Sequence, residues 1–249
     1  MVVITVANQK GGVAKTITSV NLSAGLAIVG KRVLLIDLDP QGNSTTCLGI
    51  DRWSLKKSIY NVLVEDLEIK DTIIHTSVNG LDIAPANIHL SGAEIELANK
   101  FRRENILKKR LENIRDYDFI IIDTPPSLGL LTVNALVAAN TILVPIQTEY
   151  FAMEGMSNLL QIINICKEDM LDSNLHIRYL LTMYDGRTNM SKEVVKQVRE
   201  HFGKEVFDAI IPRSVKLSEA PSHGLPIFLY DPESPGAIAY SNLVKEVLQ

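Results

Sequence analysis

The most constraining feature of this sequence is a series of short apolar runs, rich in β-branched residues and separated by stretches of helical spacing. Near-continuous hydrophobicity, without alternation of apolar and polar residues, is typical of strands that are buried on both faces. Alternating strands and helices predict right-handed βαβ units, and therefore an α/β fold with a doubly wound, mostly parallel sheet and helices on both faces. The predicted strands are Val2–Ala7, Arg32–Ile36, Leu81–Ala84, Phe119–Ile122, Thr141–Ile146, Arg178–Met183 and Val206–Ile211.

Three stretches between these runs have helical patterns. Gly30 ends the first of them, as glycine commonly ends a helix. Ser91 and Glu94 have the spacing of a capping box, which predicts the start of the second. The predicted helices are Thr16–Val29, a helix from Ser91 toward Ile114, and Lys192–Phe202.

Composition narrows the class of protein. Of the 249 residues, 46% are hydrophobic and 22% are charged, which are globular values that exclude a disordered chain. No repeat, low-complexity tract or long linker divides the sequence, so we expect one domain over residues 1–249. No apolar run reaches the roughly 18 residues of a membrane-spanning helix, which excludes an integral membrane protein.

The cysteine content and the net charge exclude further classes. Two cysteines without a CxxC pair argue against a disulfide scaffold or a cysteine-rich metal site, and indicate a reducing cytoplasm. The formal net charge is −4, so the chain does not coat DNA by bulk charge. Any DNA contact must come from a local basic patch, such as one that dimerisation assembles.

A glycine-containing loop follows the first predicted strand and leads into the first helix. Glycines allow successive backbone N–H groups to form an anion-binding nest, and the helix N-terminus adds partial positive charge. Within it, Lys15 has the place of a lysine that reaches the β- and γ-phosphates, and the Thr16 hydroxyl that of a Mg²⁺ ligand. The alternative is a tight turn with an incidental lysine. The loop reads N-Q-K-G-G-V-A-K-T over residues 8–16.

This loop departs from the standard phosphate-binding pattern G-x-x-x-x-G-K-[ST] at both fixed glycines. Gln9 stands at the first position and Ala14 at the second, and a second lysine, Lys10, lies at the start of the loop. A methyl group at the second position is tolerable only if φ stays negative and the backbone need not approach the phosphate more closely.

Carboxylates follow two further predicted strands. Asp37 and Asp39 come directly after the second strand, and Asp123 follows the strand Phe119–Ile122 in the Walker B manner. Either segment alone fits an ordinary turn that ends a strand. Because ligands of such sheets bind beyond the carboxyl ends of the strands, all three aspartates are expected beside the glycine loop.

Together these blocks resemble the ParA/MinD/nitrogenase-iron-protein class of ATPases, which has a deviant phosphate loop with two lysines. The resemblance is most specific to the shorter Soj-like ParA proteins, since longer ParA proteins carry an additional N-terminal helix-turn-helix and this sequence starts at the first strand. The resembling blocks are residues 8–16, 37–43, 123–127, 145–155 and 211–222.

The resemblance implies ATP and Mg²⁺ as cofactors and gives each site residue a role. Lys15 acts on the bound nucleotide in cis, Lys10 reaches across a dimer to the partner's nucleotide, and Asp39 orients the attacking water. The implied magnesium residues are Thr16, Asp37 and Asp123. The implied nucleotide-binding residues are Gly11, Gly12, Val13, Ala14, Lys15, Thr16, Ile17, Pro212 and Arg213.

The resemblance also implies partners and a location. An ATP-bound homodimer would bind DNA without sequence preference through Arg187, Arg213 and Lys216, and a ParB-like centromere-binding protein would stimulate hydrolysis and release. From the residues alone, ordinary surface pairing explains these three cations equally well. The expected location is the cytoplasm, at the nucleoid. The sequence end, residues 239–249, balances one lysine with one glutamate, so we expect a packed final helix and no stable membrane association.

Two other functions stay open at this point. One is a MinD-like or cargo-positioning ATPase adaptor that does not bind DNA, and the other is a degenerate protein that binds nucleotide without useful turnover. A second basic stretch, Lys100–Arg110, has acidic residues at helical spacing, which favours a solvated helix face over a DNA contact.

Overall fold

The computed structural model describes residues 1–149, 159–164 and 175–249, and in these residues eight strands form one sheet of order β3-β4-β2-β5-β1-β6-β7-β8. All neighbouring strands are parallel except β3 and β4, which are antiparallel. The predicted fold class is confirmed. The strands are β1 (Val2–Val6), β2 (Val33–Asp37), β3 (Ile74–His75), β4 (Leu81–Ala84), β5 (Phe119–Asp123), β6 (Thr141–Gln147), β7 (His176–Tyr184) and β8 (Val206–Pro212).

Helices cover both faces of this sheet. They are α1 (Lys15–Ile28), α2 (Asn43–Cys47), α3 (Ile59–Val64), α4 (Leu90–Leu97), α5 (Ile106–Leu111), α6 (Leu130–Ala138), α7 (the helical residues 159–164), α8 (Asn189–Phe202), α9 (Val215–Glu219), α10 (Ile227–Tyr230) and α11 (Pro235–Val247). In the part of the chain that the structure describes, no helix combines the length and the apolar content needed to cross a membrane.

The central strands of the sheet have apolar sequences because they are buried on both faces. Every residue of β2 and of β5 is buried. Successive side chains point to opposite faces, so Ile4 and Val6 of β1 pack with α1 and α11, while Val3 packs with the helices of the other face. Both faces are covered, and for this reason the runs do not alternate.

Helices α1 and α11 lie close together on one face. The Thr18 and Tyr240 hydroxyls form a buried hydrogen bond of 3.1 Å between them. A Cβ added at Gly25 would come within 2.6 Å of Val244, so glycine allows this close approach. α1 ends where the sequence predicts, with Gly30 at φ +87° just beyond its C-cap.

One predicted helix is wrong. The segment that begins at Ser91 does not continue to Ile114, because the chain leaves the helix after Leu97 and resumes only in α5. The Ser91 hydroxyl donates to the Ile88 carbonyl, and Glu94 accepts a hydrogen bond from the backbone of Leu131 instead of capping its own helix.

The basic stretch Lys100–Arg110 therefore forms no continuous helix face. Arg102 has a left-handed backbone with φ +52°, which interrupts the helix. The Lys100 ammonium donates to carbonyls near the end of α3, and Arg110 pairs with Asp66. Strand β3 was not predicted, because a strand of two residues is too short to form an apolar run in the sequence.

Candidate functional site

The phosphate-loop segment follows the carboxyl end of β1. Gly11 and Gly12 are exposed, and a Cβ at either position would meet no atom within 4 Å. Gly12 has φ +74°, a conformation that glycine adopts without steric cost. The Thr182 hydroxyl of β7, two strands away from β1 in the sheet, donates to the Val13 carbonyl at 3.1 Å and so anchors the loop. The loop thus presents open backbone to solvent from a fixed base.

The condition of a negative φ at Ala14 is not met in the structure. Ala14 is the N-cap of α1 and has φ +68° and ψ +29°, which is left-handed backbone. For a residue with a Cβ, this conformation costs about 1–2 kcal/mol relative to right-handed backbone. The loop therefore keeps the backbone shape that a glycine would adopt, and the alanine carries the strain.

Lys15 lies inside the loop rather than on its surface. Only 7% of the residue is exposed, and its Nζ donates to the Lys10 carbonyl oxygen at 3.0 Å. Burial lowers the pKa of the Lys15 ammonium, and the charges of Asp123 and Asp39 oppose this effect. Lys15 is thus a buried cation whose charge burial disfavours, so an anionic ligand at the loop would stabilise it.

Asp37 and Asp123 stand side by side at the ends of β2 and β5, where they are register partners. Both are fully buried. The Thr45 hydroxyl and backbone N–H donate to Asp37 Oδ2 at 2.7 and 2.8 Å. The Asp123 carboxylate accepts from the Ser19 hydroxyl at 3.0 Å and the Ser44 hydroxyl at 2.8 Å.

Burial makes the ionised forms of these two carboxylates unfavourable. It raises the pKa of Asp37 to about 7, with a further contribution from the charge of Asp123. It raises the pKa of Asp123 to about 6, although hydrogen bonds from Ser44, Thr16 and Ser19 act in the opposite direction. A divalent cation would reverse both effects, since it supplies the positive charge that the pair lacks. The oxygen donors of Thr16, Asp37 and Asp123 are of the type that Mg²⁺ prefers.

Asp39 lies just past this pair in a tight turn. Its Oδ1 accepts from the Gln41 N–H at 2.9 Å, and its own N–H donates to Asp37 Oδ1 at 3.2 Å. Gly42, at φ +60°, ends the turn as the N-cap of α2. The turn fixes the Asp39 carboxylate close to Lys15, whose pKa it influences.

Pro212 and Arg213 lie at the end of β8, on the same edge of the sheet as the glycine loop but three strands away from β1. The Arg213 N–H donates to the Tyr184 carbonyl at 2.9 Å, which brings this segment next to the loop after β7. Ile17 lies in α1 and packs partly against the core. These three residues are thus less directly joined to the carboxylates than Lys15 is.

Each of the three candidate DNA-contacting cations has a nearby carboxylate. Arg187 forms two bonds with Asp185, at 2.8 and 2.6 Å, and these hold the pKa of the Asp185 carboxyl at about 2. Arg213 donates to Glu149 at 2.6 Å, and Lys216 donates to Glu219 at 3.1 Å. Because water screens these exposed pairs, a phosphate could replace the carboxylate at little cost.

Part of the block at residues 145–155 lies outside the described residues, as do residue 166 and its thiol. The described portion ends at Glu149, the partner of Arg213. In the described residues, no group of three or more His, Cys, Asp and Glu side chains is arranged to hold a metal.

Comparison with known proteins identifies the family of this site. Residues 1–177 match the family model described as AAA domain. The chain is 52% identical over 247 residues to the sporulation initiation inhibitor protein Soj of Bacillus subtilis, with 98% of this chain and 97% of that protein covered. It is 48% identical over 250 residues to the chromosome partitioning protein ParA of Caulobacter vibrioides, covering 99% and 93% of the two chains. The chain belongs to the ParA/Soj family.

A solved structure agrees with this fold. The cobyrinic acid a,c-diamide synthase of Mycobacterium smegmatis, crystallised with ADP and magnesium, superposes with a TM-score of 0.88 at 38% identity, covering 100% of this chain and 94% of that one. The fold of this ParA/Soj chain thus matches that of a solved structure over its whole length.

Sequence reasoning missed the hydroxyl groups around the two aspartates. Ser19, Ser44 and Thr45 each donate to Asp37 or Asp123, and all three are buried. A signal was available for two of them, since Ser44 and Thr45 directly follow the D-x-D-P-Q-G-N turn of this ParA/Soj chain. Ser19 lies one turn beyond Lys15 in α1, where nothing in the pattern distinguishes it from a helix residue.

Proposed function

We propose that this chain is an ATP-dependent partitioning ATPase that binds Mg²⁺ and ATP at the glycine loop. One observation carries the proposal: Lys15, Asp37 and Asp123 converge at the carboxyl ends of three adjacent strands, next to an open backbone loop. A buried lysine beside two buried carboxylates is costly without a ligand, and a metal–phosphate ligand supplies charge of both signs.

Each residue of the site has a task in this proposal. The backbone of residues 11–17 would cradle the phosphates and Lys15 would contact the β- and γ-phosphates. Thr16, Asp37 and Asp123 would hold the cation. When bound, Mg²⁺ neutralises the charge that develops on the transferring phosphoryl group. Pro212 and Arg213 contribute to the nucleotide pocket from the end of β8.

Asp39 positions the attacking water. Its turn is held by hydrogen bonds to Gln41 and Asp37, so its carboxylate has a fixed direction. Phosphoryl transfer depends mostly on positioning and charge stabilisation, so Asp39 need not be a strong base.

Lys10 acts across a nucleotide-dependent homodimer. Its backbone N–H is anchored by Asn8 Oδ1 at 2.9 Å, while its side chain has no ion-pair partner among the described residues. The side chain is therefore available to a phosphate on a second subunit. Two-fold symmetry would place two nucleotides between two copies.

The ATP-bound dimer would then bind DNA without sequence preference. The three cations would exchange their exposed carboxylate partners for DNA phosphates; they are Arg187, Arg213 and Lys216. A dimer carries two copies of these cations, so its local positive charge would be high although the chain is acidic overall. A ParB-like protein would stimulate hydrolysis and release the dimer from the nucleoid. ATP shifts the population because it binds the dimeric state more tightly.

The proposal is tested by nucleotide turnover and self-association in matched variants. Lys15→Ala should abolish phosphate release, and Lys10→Ala should abolish the ATP-dependent dimer, whereas replacement of the exposed Lys70 should change neither. Light scattering with ATP or ADP reports the dimer. An unaltered dimer in Lys10→Ala contradicts the action of this lysine across the interface, and a wild-type chain that binds ATP without turnover contradicts the ATPase.

A further inference from the structure

Trp53 is exposed in a short loop directly after α2. It is the one tryptophan of the sequence, and 71% of its surface is exposed. The Arg52 guanidinium carbon lies 4.9 Å from the centre of its ring, which is a cation–π contact. Tryptophan and arginine are the residues most enriched at the energetic centres of protein interfaces.

A hollow of about 240 Å³ lies between this loop and helix α2. This volume is below the roughly 300–1,000 Å³ of ordinary small-molecule pockets and is suited to a single inserted side chain. One wall belongs to the helix that follows the Asp39 turn, and the other contains the tryptophan. The lining residues are Asn43, Thr46, Ile50, Asp51, Arg52 and Trp53.

The surroundings of the hollow are positively charged although the chain is acidic overall. Lys56 and Lys57 are exposed, and neither they nor Arg52 form an ion pair in the described residues. Asp51 is the acidic residue of this loop, and it accepts the Trp53 backbone N–H at 3.0 Å. The loop therefore carries three cations and one carboxylate, that of Asp51, beside a hollow whose apolar surface comes from Ile50 and Trp53.

The same loop touches the turn that carries Asp39. A Cβ built at Gly42 would lie 3.1 Å from Arg52 Cδ, so the arginine stem packs directly over this glycine. The Gly42 N–H donates to the Asp39 carbonyl at 2.8 Å, and its carbonyl accepts from the Thr46 hydroxyl at 3.0 Å. A displacement of the turn would thus move both walls of the hollow.

We propose that this hollow is the docking site for an acidic peptide segment of a partner protein, which inserts one apolar side chain against Trp53 and Ile50. Carboxylates that flank the inserted residue would pair with Arg52, Lys56 and Lys57. We further propose that nucleotide binding changes how strongly the hollow binds this peptide. This second part rests on the proposed function, because it requires the Asp39 turn to move when phosphate binds.

Charge and shape favour a peptide over other anionic partners. Duplex DNA offers phosphates but no apolar side chain for the hollow, and it would leave Trp53 uncovered. A membrane surface is flat, and a concave hollow of this size gives it little contact. An acidic peptide satisfies both the cations and the apolar walls, since complementary charge guides it and the anchor supplies buried area.

The test uses Trp53 as its own reporter. The probe is a blocked pentapeptide, Glu-Glu-Phe-Glu-Glu, and the matched peptides replace Phe with Ser or every Glu with Lys. We expect a saturable change in tryptophan fluorescence with the first peptide at up to about 1 mM, and at least about tenfold weaker binding of the other two. The paired variant Lys56→Glu with Lys57→Glu should weaken binding about tenfold or more.

A second charge reversal serves as the control. Lys108→Glu with Lys109→Glu makes the same change near another exposed aromatic, Phe101, and should leave the titration unchanged. The proposal is overturned by equal binding of the acidic and basic peptides, by no saturation, or by equal loss in both paired variants. Quenching of Trp53 by duplex DNA or by anionic vesicles, but not by the peptide, assigns the patch to another class of partner.

Peptide titrations with and without nucleotide test the two parts of the proposal separately. Titrations without nucleotide test docking alone, and titrations with Mg²⁺ and ATP test its link to the Asp39 turn. If the chain does not bind ATP, the peptide still binds and the nucleotide has no effect. If docking is wrong, ATP turnover persists while the peptide fails to bind.

Discussion

The Ser44 hydroxyl donates a hydrogen bond of 2.8 Å to the carboxylate of Asp123, and so joins helix α2 to the end of strand β5. The next residue, Thr45, holds Asp37 at the end of the neighbouring strand. Two adjacent hydroxyl residues of one short helix thus donate hydrogen bonds to the two buried aspartates. Any ligand that changes the charge at these carboxylates acts directly on α2.

Replacing Ser44 with Ala should destabilise the protein by about 1–3 kcal/mol, since it removes a donor to a buried carboxylate. Ser54→Ala is the matched control, because its exposed hydroxyl donates to the backbone carbonyl of Asp51 and not to a buried carboxylate. Urea denaturation of the three proteins measures the difference. Equal stability of both variants would show that the Ser44 hydrogen bond contributes nothing measurable.

The two raised carboxyl pKa values predict how stability depends on pH. A carboxyl that binds its proton more tightly when folded favours the native state at low pH, so this contribution is lost as pH rises from about 4 toward 7. Asp123→Asn removes one charge of the pair and relieves Asp37. Without nucleotide or Mg²⁺, the stability of this variant relative to wild type should therefore be greater at pH 8 than at pH 5.

Urea denaturation at both pH values measures this shift. The exposed Asp71→Asn variant provides the control, and its difference from wild type should not depend on pH. A pH-independent difference for Asp123→Asn would mean that the two carboxylates do not compete for charge in the folded protein.

Ala14→Gly should leave stability unchanged or raise it by up to about 1 kcal/mol, because glycine adopts φ +68° without strain, although it also gains freedom when unfolded. Ala98→Gly, at an exposed site with φ −54°, should instead cost about 0.5–1 kcal/mol. Thermal or urea unfolding compares the two. A similar loss in both variants contradicts the strained backbone at Ala14.

Gly224 lies against the segment that follows α2. A Cβ at this position would come within 2.6 Å of Gly49 Cα, and its φ is +66°. Gly30, the glycine that follows the C-cap of α1, has φ +87° but open space around it. Both alanine variants incur a similar backbone penalty of about 1 kcal/mol, so Gly224→Ala should be the less stable by about 2 kcal/mol or more. Equal urea midpoints and slopes for the two alanine variants would exclude the close contact between residue 224 and Gly49.

The sequence was sufficient to predict the sheet because the relevant signals are local. Every strand of the parallel sheet is an apolar run, and the observed ends differ from the predicted ones by two residues or fewer. Asp37 and Asp123 could be placed together because the carboxyl ends of parallel strands meet at one edge. The helix after Ser91 failed because Glu94 bonds to Leu131, a contact between distant segments that local spacing does not encode.

The backbone conformation of Ala14 and the pairing of all three surface cations could not be predicted from the sequence, because both depend on distant parts of the chain. The left-handed backbone of Ala14 depends on the shape of the whole loop, whereas alanine by itself prefers right-handed backbone. The carboxylate partners of Arg187 and Lys216 lie within three residues in the chain, but the pairing of Arg213 with Glu149 spans 64 residues. Only the folded chain shows that all three cations are paired.

DNA binding in the presence of ATP, ADP or no nucleotide, at low and moderate salt, tests the central claim most directly. Wild-type protein, Arg187→Glu and the exposed control Arg115→Glu are compared on one duplex. We expect binding only with ATP, weakened by salt and by Arg187→Glu but not by Arg115→Glu. Binding that ignores the nucleotide, or an ATP-dependent dimer that binds no DNA, would contradict it and favour a positioning adaptor.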